Sequence, residues 1–325
     1  MILSAFAALV LASCAEHQEP LPPPGSAVSS AKVSHPSPLV ASSLASSNLS
    51  GPSLLARHGL RPSAQQDPYV PYGTPQATSP EEDFIVLQNT GFEDGYSESR
   101  RDPVWAAYHI SSKMPQGEDH KPRPGSFKTD YRTTAQATQA AYKQVSNEFD
   151  RGHMAPNHAI DKFYGKQGQL DTFSMSNIVP QRPCFNEQTW QELEGDIADR
   201  LVYNFDDLWV IVGPIFSSNP RKLSQGIEVP DALFCVIVGT KNNSPQVLCL
   251  IEPQNSKGSH SLSEYKVDLS DIEEATHLNL LPELSEQQKE LVQKNLSPDW
   301  NLDQMLYPKF ACRLGSADEE ANLDH

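Results

Sequence analysis

The chain reads Phe149-Asp150-Arg151-Gly152-His153-Met154-Ala155-Pro156 close to its middle. A second motif, Met175-Ser176-Asn177-Ile178-Val179-Pro180-Gln181, follows about twenty residues later. A third, Asn186-Glu187-Gln188-Thr189-Trp190-Gln191-Glu192-Leu193-Glu194, comes soon after it. Together the three motifs bring an imidazole, a guanidinium, an amide and a carboxylate into one short stretch. This combination favours hydrolysis of a phosphodiester with a single metal ion.

Each of these groups suits one part of that chemistry. His153 can act as a general base because an imidazole titrates near neutral pH. Arg151 offers a permanently charged fork of donors to the non-bridging oxygens of a phosphate. Asn186 can give its side-chain oxygen to Mg²⁺, an ion that keeps most of its waters and needs few protein ligands. Gly152 lets the backbone turn tightly or lets a substrate come close.

The residues after Asn186 predict an amphipathic helix that continues to about Tyr203. The apolar face carries Trp190, Leu193, Ile197 and Leu201. At about 100° per residue, Asn186 falls on the same side and Glu194 lies about 80° away, at its edge. A polar amide on the buried side of a helix needs a partner. A hydrated metal ion is one such partner, and Glu194 can accept hydrogen bonds from its waters.

Taken singly, each residue has an ordinary structural interpretation. His153 after a glycine is typical of a loop or core histidine, and Asn186 before an apolar helix is typical of an N-cap. Glu194 is typical of a solvated charge on a helix. The occurrence of all three in one stretch favours a shared site. His153 and His158 do not form the His-Glu-x-x-His motif of a metalloprotease, and no Cys/His spacing matches a zinc site.

The combination of Asp-Arg-Gly-His, Ser-Asn-Ile-x-Pro-Gln and Asn-x-x-x-Trp-x-x-Leu-Glu resembles the DNA/RNA non-specific endonuclease family. These proteins are ββα-metal nucleases, and the group includes the mitochondrial endonuclease G. The resemblance covers roughly residues 83–312, with further similar segments at Val104–His109, Phe127–Asp130, Leu208–Phe216, Val229–Phe234 and Ile272–Thr276. It implies an α+β fold in which helices flank a central antiparallel sheet with a ββα-metal active-site motif.

The resemblance also implies a role for each central residue. His153 matches the family's general base, and Asn186 matches its single direct ligand to Mg²⁺, with Mn²⁺ as an alternative ion. Glu194 matches a carboxylate near the waters of the metal, and Arg151 matches the arginine of the Asp-Arg-Gly-His motif. Asn177 matches an asparagine that supports the site by fixing the histidine or its loop.

Two positions depart from the family pattern. The family often has an arginine four residues after the helix glutamate, where this chain has Ala198, and Arg200 follows two residues later. A second family arginine precedes the Phe-x-x-Asp segment, and Arg123 is the nearest candidate. Loss of one cation that contacts phosphate would lower activity or alter substrate choice without removing the base or the metal.

The composition is acidic, which is unusual for a protein whose partner is a polyanion. The 325 residues carry a formal net charge of −16. The acidic residues are unevenly distributed along the chain. Residues 101–190 contain 11 Lys/Arg against 9 Asp/Glu, or +2, whereas residues 253–325 contain 6 against 14, or −8. We therefore expect a local cationic groove on an acidic body, and a substrate affinity that depends strongly on salt.

The N-terminal segments predict export and a tether. Residues 2–12 are a short apolar run, without a preceding basic residue, that ends in Leu11-Ala12-Ser13-Cys14. This ending resembles the lipobox of bacterial lipoproteins. It implies a signal peptide at 1–14, a lipid anchor on Cys14, and a location in the cell envelope (outer membrane or periplasm) or outside the cell. Residues 15–82 are rich in Pro and Ser and predict a disordered tether. The endonuclease domain is expected at 83–312, followed by an acidic tail at 313–325.

Local patterns predict the elements of this domain. Strands are expected near 83–87, 104–110, 172–179, 209–212, 233–239 and 247–251. Helices are expected near 135–145, from 186, near 270–276 and near 283–294. Lys241-Asn242-Asn243-Ser244 predicts a hairpin turn between two strands.

The cysteines permit two interpretations. If Cys14 carries the lipid, four others are left: Cys184, Cys235, Cys249 and Cys312. They either form disulfides, with Cys235 and Cys249 as neighbours across the hairpin, or are small buried apolar residues.

Three functions are weighed on these grounds. The first is an exported, Mg²⁺-dependent endonuclease that cuts DNA and RNA with little base preference. The alternative is a catalytically inactive, surface-anchored lipoprotein of the same fold that binds nucleic acid or has a structural role. The intact His153, Asn186 and Glu194 favour the enzyme. A phosphodiesterase for another substrate is least favoured, because no apolar pattern for binding an acyl chain is present. The oligomeric state stays open, with a homodimer as one alternative.

Overall fold

The computed structural model describes residues 68–116, 122–256, 262–294 and 296–300. The strands, in chain order, are β1 Gln76–Ala77, β2 Ile85–Gln88, β3 Phe92–Ser97, β4 Asp102–Ile110, β5 Asp150–His153, β6 Ile178–Gln181, β7 Asp207–Ile215, β8 Ala232–Lys241, β9 Ser244–Pro253, β10 Lys266–Val267 and β11 Leu278–Asn279. Seven of them form one antiparallel sheet in the order β10-β9-β8-β7-β4-β3-β2. Two further antiparallel pairs, β1–β11 and β5–β6, lie outside it.

The α-helices of the described residues are α1 Asn157–Thr172, α2 Gln191–Asp199, α3 Leu269–Thr276 and α4 Glu286–Lys294. A π-helical turn, Phe185–Trp190, precedes α2. Short 3-10 segments lie at Gln139–Val145, Met175–Asn177, Leu201–Tyr203, Ser224–Gly226, Leu262–Tyr265 and Pro298–Trp300. Within the described ranges, no helix has the length and apolar character needed to cross a bilayer.

Helices cover both faces of the central sheet, and each face has its own core. On one face, strand residues such as Tyr108 pack with Phe163 of α1 and Leu193 of α2. On the other face, Trp105 and its neighbours pack with Ile272 of α3 and with α4. The strands of the middle of the sheet are apolar at nearly every position because both of their faces are buried. The predicted α+β class, with a central antiparallel sheet between helices, is confirmed.

Residues 68–82 pack onto this domain, although the sequence places them in the tether. Val70 and Tyr72 are buried in the second core. Strand β1 pairs with β11, and the indole nitrogen of Trp209 donates to the carbonyl oxygen of Pro68 at 3.2 Å. The folded domain thus includes residue 68, ahead of the predicted boundary at 83. The predicted signal peptide, Cys14, the rest of the tether and the acidic tail lie outside the described residues.

The segment between the first two motifs differs from its prediction. A strand is expected over 172–179, but α1 ends at Thr172 and β6 begins only at Ile178. The sequence pattern does not predict α1, because glycines interrupt the helical spacing of its apolar residues. Gly165 has a φ of +70° and interrupts the helix, a conformation that glycine adopts at little cost. The helix expected near 135–145 is a short 3-10 segment.

The predicted hairpin is confirmed. Lys241 pairs with Ser244, and both turn residues, Asn242 and Asn243, have positive φ angles of 52° and 58°. Two central residues with positive φ are typical of a type I′ turn, whose twist matches that of the flanking strands.

The neighbouring cysteines on this hairpin do not form a disulfide. Cys235 pairs with Leu250 and Cys249 pairs with Val236. A difference of one position in register turns the two thiols to opposite faces of the sheet. Both are free and buried, one in each core. Cys184 is disulfide-bonded, and its partner lies outside the described residues.

Candidate active site

The ribbon of β5 and β6 holds the first two motifs side by side. Asp150 pairs with Gln181, and His153 pairs with Ile178. The buried side chain of Gln181 lies across Gly152, where a β-carbon would overlap it. Glycine is therefore required at residue 152 by close packing.

The third motif continues the ribbon into a helix, which completes a ββα unit. The π-helical turn carries Asn186, and α2 carries Glu194. A π-turn has more residues per turn than the regular helix that the sequence predicts. The separation of about 80° between these two side chains, derived from 3.6 residues per turn, therefore does not hold. Single π-turns are frequent at functional sites.

His153 lies at the end of β5 between two phenylalanine rings. The centroid of its ring is 5.5 Å from that of Phe127 and 5.0 Å from that of Phe173, which it meets edge-on. Its Nε2 is buried and has no hydrogen-bond partner among the described residues. Burial in this apolar enclosure, and secondarily the charge of Arg123, lower the pKa of His153 to about 3. The imidazole is therefore neutral at physiological pH, the form that a general base requires.

The loop that carries Phe127 is fixed to the segment before β6. The backbone N–H of Lys128 donates to the carbonyl oxygen of Phe173, and that of Met175 donates to the carbonyl oxygen of Lys128, each at 2.8 Å. Asp130 accepts hydrogen bonds from Arg132 and from Ser176 at 2.8 Å. Although burial raises the pKa of Asp130, these donors lower it to about 2. These hydrogen bonds hold the loop of Phe127, one of the two aromatic walls around His153, in a fixed position.

Asn177 holds the backbone that follows His153. Its Oδ1 accepts from the N–H of Ala155 at 2.7 Å. Its Nδ2 donates to the carbonyl oxygens of Ala155 at 3.0 Å and Thr172 at 3.1 Å. The side chain is fully buried. Asn177 therefore joins the end of α1 to the loop after the histidine.

Asn186 is oriented by the first motif. Its Nδ2 donates to Oδ2 of Asp150 at 2.9 Å, so its Oδ1 points away from that carboxylate. Its backbone N–H donates to the carbonyl oxygen of Arg182 at 2.8 Å, which places Asn186 inside the helical turn. The helical turn is preceded by Cys184. The alternative interpretation of Asn186 as an N-cap is therefore wrong.

Glu194 is half-buried against the central sheet. Burial raises its pKa to about 8, and the indole N–H of Trp190 and the charge of Arg123 offset only part of this effect. The charge of Glu194 in turn contributes to the raised pKa values of Tyr108 and Cys235. Because Arg123 acts on both Glu194 and His153, the two groups lie within the field of one cation.

Two arginines stack on the phenylalanine rings of the aromatic enclosure. The Cζ atom of Arg151 is 5.1 Å from the centroid of Phe127, and that of Arg123 is 5.4 Å from the centroid of Phe173. Both side chains are exposed, so their donors face solvent. Arg123, which the sequence offers only as the nearest candidate, is thus at the site. Ala198 is buried in the core, and Arg200 pairs with Asp196 at 2.7 Å.

Sequence reasoning missed three residues of this arrangement: Asp150, Phe127 and Phe173. Asp150 and Phe127 belong to motifs quoted for the family resemblance, so their positions were a usable signal. Phe173 follows α1, a helix that the pattern does not predict, and nothing local distinguishes it from a core aromatic residue.

The donors of the site suit a hydrated hard cation. Within the ranges that the structure describes, no three His, Cys, Asp or Glu side chains cluster in a way that could enclose a metal. The oriented amide oxygen of Asn186 and the poorly compensated carboxylate of Glu194 are hard oxygen donors. Mg²⁺ accepts such a sparse set because it keeps several waters. The residues present therefore fit an ion of this kind.

A ribbon and helix carry the buried neutral imidazole and the oriented amide, and two guanidinium groups stack on the phenylalanine rings beside them. This arrangement fits the class of ββα nuclease sites. The chain belongs to the DNA/RNA non-specific endonuclease family, whose model matches residues 73–287, more than half of its length. The family predicted from the motifs is confirmed, and the prediction of a nuclease-class enzyme is confirmed at the level of the family.

Individual relatives agree with this assignment. The chain is 30% identical over 210 residues to "Nuclease EXOG, mitochondrial" of Danio rerio, a match that covers 59% of the chain and 60% of that protein. It is 30% identical over 216 residues to "Nuclease" of Syncephalastrum racemosum, covering 59% and 66%. These matches span less than two thirds of either relative. A chain in the crystal structure of the EndoG/EndoGI complex has the same fold, with a TM-score of 0.55 and 22% identity over 62% of this chain and 88% of that one.

Proposed function

We propose that the protein is a Mg²⁺-dependent endonuclease that hydrolyses phosphodiester bonds of DNA and RNA without regard to the sugar. The observation that carries the proposal is the juxtaposition, on one ββα unit, of a neutral imidazole and an amide oriented by Asp150. Relatives of the chain that are named nucleases support the reaction class.

Each residue has a distinct part in the proposed reaction. A divalent ion bound at Asn186, with Glu194 near its waters, would stabilise the charge that develops on the leaving oxygen. His153 accepts the proton of the attacking water, because its pKa leaves it unprotonated at neutral pH. Arg151 and Arg123 donate to non-bridging oxygens of the phosphate. Asn177 keeps the histidine loop in place through its three hydrogen bonds.

Nicking of supercoiled plasmid in the presence of Mg²⁺, with EDTA as the metal-free control, tests the proposal. His153→Ala should lower the rate by roughly 10²–10⁴-fold, the usual contribution of a general base. His158→Ala is the matched control, since His158 is exposed and hydrogen-bonded to Asp199 at 2.9 Å. Wild-type protein that binds nucleic acid but leaves the plasmid intact would favour the inactive alternative. Unchanged nicking by His153→Ala would refute the base assignment.

Asn186→Ala tests the metal ligand separately. Loss of the amide oxygen should raise the Mg²⁺ concentration required for half-maximal rate, or abolish cleavage altogether, because no other described residue is proposed as a direct ligand. Titration of the rate with Mg²⁺ and with Mn²⁺ measures the effect. An unaltered titration curve would remove Asn186 from the metal site.

Location is proposed on the sequence alone. The apolar run at residues 2–12 and the lipobox-like ending at Cys14 support export and a lipid anchor. If this is right, the full-length protein should fractionate with membranes and Cys14→Ser should release it into the soluble fraction. Equal partitioning of both proteins would contradict the anchor.

A further inference from the structure

Two more guanidinium groups lie close to the catalytic unit, both over the ring of Phe149. The Cζ atom of Arg182 is 5.8 Å from the centroid of that ring, and the Cζ atom of Arg221 is 5.2 Å from it. Phe149 itself is buried in a small core beneath the ribbon. The ring is therefore a fixed platform that positions two cations.

The ribbon aligns this platform with the catalytic residues. Side chains two positions apart on a strand point to the same face, about 7 Å apart, so Arg151 and His153 share one face of β5, and Phe149 directly precedes this strand. Contact of both Arg151 and His153 with the Phe127 ring agrees with this placement. Because Asp150 pairs with Gln181, the next residue, Arg182, lies opposite Phe149. The Phe149 platform thus lies at the entry to β5, two residues before Arg151.

The side chain of Arg221 and the backbone of Arg182 are both anchored before any ligand arrives. The carboxylate of Glu148 accepts from both Nη atoms of Arg221, which uses two of its five N–H donors. The backbone N–H of Arg182 donates to Oε1 of Gln254 at 2.7 Å, and the Nε2 of Gln254 donates to the carbonyl oxygen of Pro180 at 3.0 Å. Guanidinium groups are weakly hydrated and match phosphate oxygens, so such a pair suits a phosphodiester.

We propose that Arg182 and Arg221, seated on Phe149, bind a second phosphate of the substrate strand, beyond the scissile phosphate at Arg151. The inference rests on the proposed endonuclease function and deepens it. It also accounts for how a chain of net charge −16 retains a polyanion. The cations are concentrated in one row beside the base, and the acidic body repels nucleic acid elsewhere.

Two substrates of different length separate this role from catalysis. We compare a long single-stranded oligonucleotide with a dinucleotide that contains only the scissile phosphate. The double variant Arg182→Gln/Arg221→Gln should raise KM for the oligonucleotide several-fold and leave kcat/KM for the dinucleotide unchanged. The Lys-substituted double variant should recover part of the loss. Lys241→Gln, which removes one cation paired with Asp299 on the distant hairpin, is the charge control.

Salt dependence provides a second readout that does not require cleavage. In a His153→Ala background, binding of the labelled oligonucleotide is measured by anisotropy over a range of salt. Each lost phosphate contact should reduce the slope of log K against log salt by about 0.7 for a single strand. An unchanged slope, or an equal loss of rate on both substrates, would overturn the second site. If wild-type protein cleaved neither substrate, the proposed function would fail instead, and the binding slopes would still decide the second site.

Discussion

The Nδ2 of Asn186 donates a hydrogen bond of 2.9 Å to Oδ2 of Asp150, 36 residues earlier in the chain. This bond joins the first β-strand of the ββα unit to its helical turn. It also determines which way the amide oxygen points. The proposed metal ligand and the strand that ends in the proposed general base are therefore coupled through one carboxylate.

Asp150→Ala should weaken metal binding without removing a ligand. An outer partner that orients a ligand typically contributes 10–100-fold in metal affinity. We therefore expect the Mg²⁺ requirement of cleavage to rise by about that factor, while the rate at saturating Mg²⁺ falls less. Asp207→Ala, at the start of β7 and paired with His109 instead of a residue of the ββα unit, is the control. Identical Mg²⁺ titrations for Asp150→Ala and wild type would contradict this coupling.

The enclosure of His153 predicts the pH dependence of activity. Burial, followed by the charge of Arg123, lowers its pKa to about 3, so the base should not lose activity between about pH 5 and 7 through its own protonation. Phe127→Ala opens one wall and should move the acidic limb of the kcat/KM profile upward, towards the ordinary value near 6.5. Profiles of the two proteins, recorded at saturating Mg²⁺, make the comparison. A wild-type limb already near 6.5 would count against the enclosure.

The same shift makes stability depend on pH with a definite sign. Between about 6.5 and 3 the unfolded chain protonates His153 and the folded chain does not, so stability falls as pH falls through that window. Glu194 acts in the opposite sense: its folded pKa of about 8 exceeds the ordinary value, so its contribution is lost as pH rises from about 4.5 to 8. Urea denaturation in EDTA at several pH values measures the free energy of unfolding of each protein. His153→Gln should lose the first of these pH dependences, and Glu194→Gln should lose the second. Parallel curves for the wild type and His153→Gln would disprove the first assignment.

Gly152 and Gly195 should respond oppositely to alanine. A β-carbon at residue 152 would overlap the buried Gln181 side chain, whereas nothing lies within 4 Å of one at residue 195, in α2. Gly152→Ala should destabilise the protein by roughly 1–3 kcal/mol through overpacking and should reduce cleavage. Gly195→Ala should stabilise it by about 0.5–1 kcal/mol, since glycine is a poor helix former. Thermal melts and nicking rates of both variants test this, and equal melting temperatures would show that Gln181 can move aside.

The disulfide of Cys184 predicts sensitivity to reductant. This residue precedes the π-helical turn that carries Asn186. Reduction should cost about 2–4 kcal/mol of stability and raise the Mg²⁺ requirement, because the turn loses its covalent anchor. Cys235→Ala should respond to reductant as wild type does, since that thiol is free and buried. Insensitivity of the wild type to dithiothreitol would argue against a structural disulfide.

Residue pattern alone was sufficient for the large strands and the hairpin. The near-continuous apolar runs of β7, β8 and β9, and the two asparagines between β8 and β9, are local signals that need no tertiary information. Helix α1 and the start of β6 could not be predicted from such local signals. Gly165 and Gly168 obscure the helical pattern, and the helix packs in the same core as the sheet and α2, a tertiary contact that the local pattern does not contain.

For the site, too, the sequence and the tertiary structure determined different properties. The sequence determined which groups are present: the imidazole of His153, the guanidinium of Arg151 and the amide of Asn186 are recognisable because motif residues lie close together along the chain. Tertiary structure decided how those groups behave. Phe127 and Phe173 come from either side of α1 and the first motif, and together they exclude water from the imidazole and keep it neutral. Desolvation and hydrogen-bond direction depend on what surrounds an atom in space, and a linear pattern records only what adjoins it along the chain.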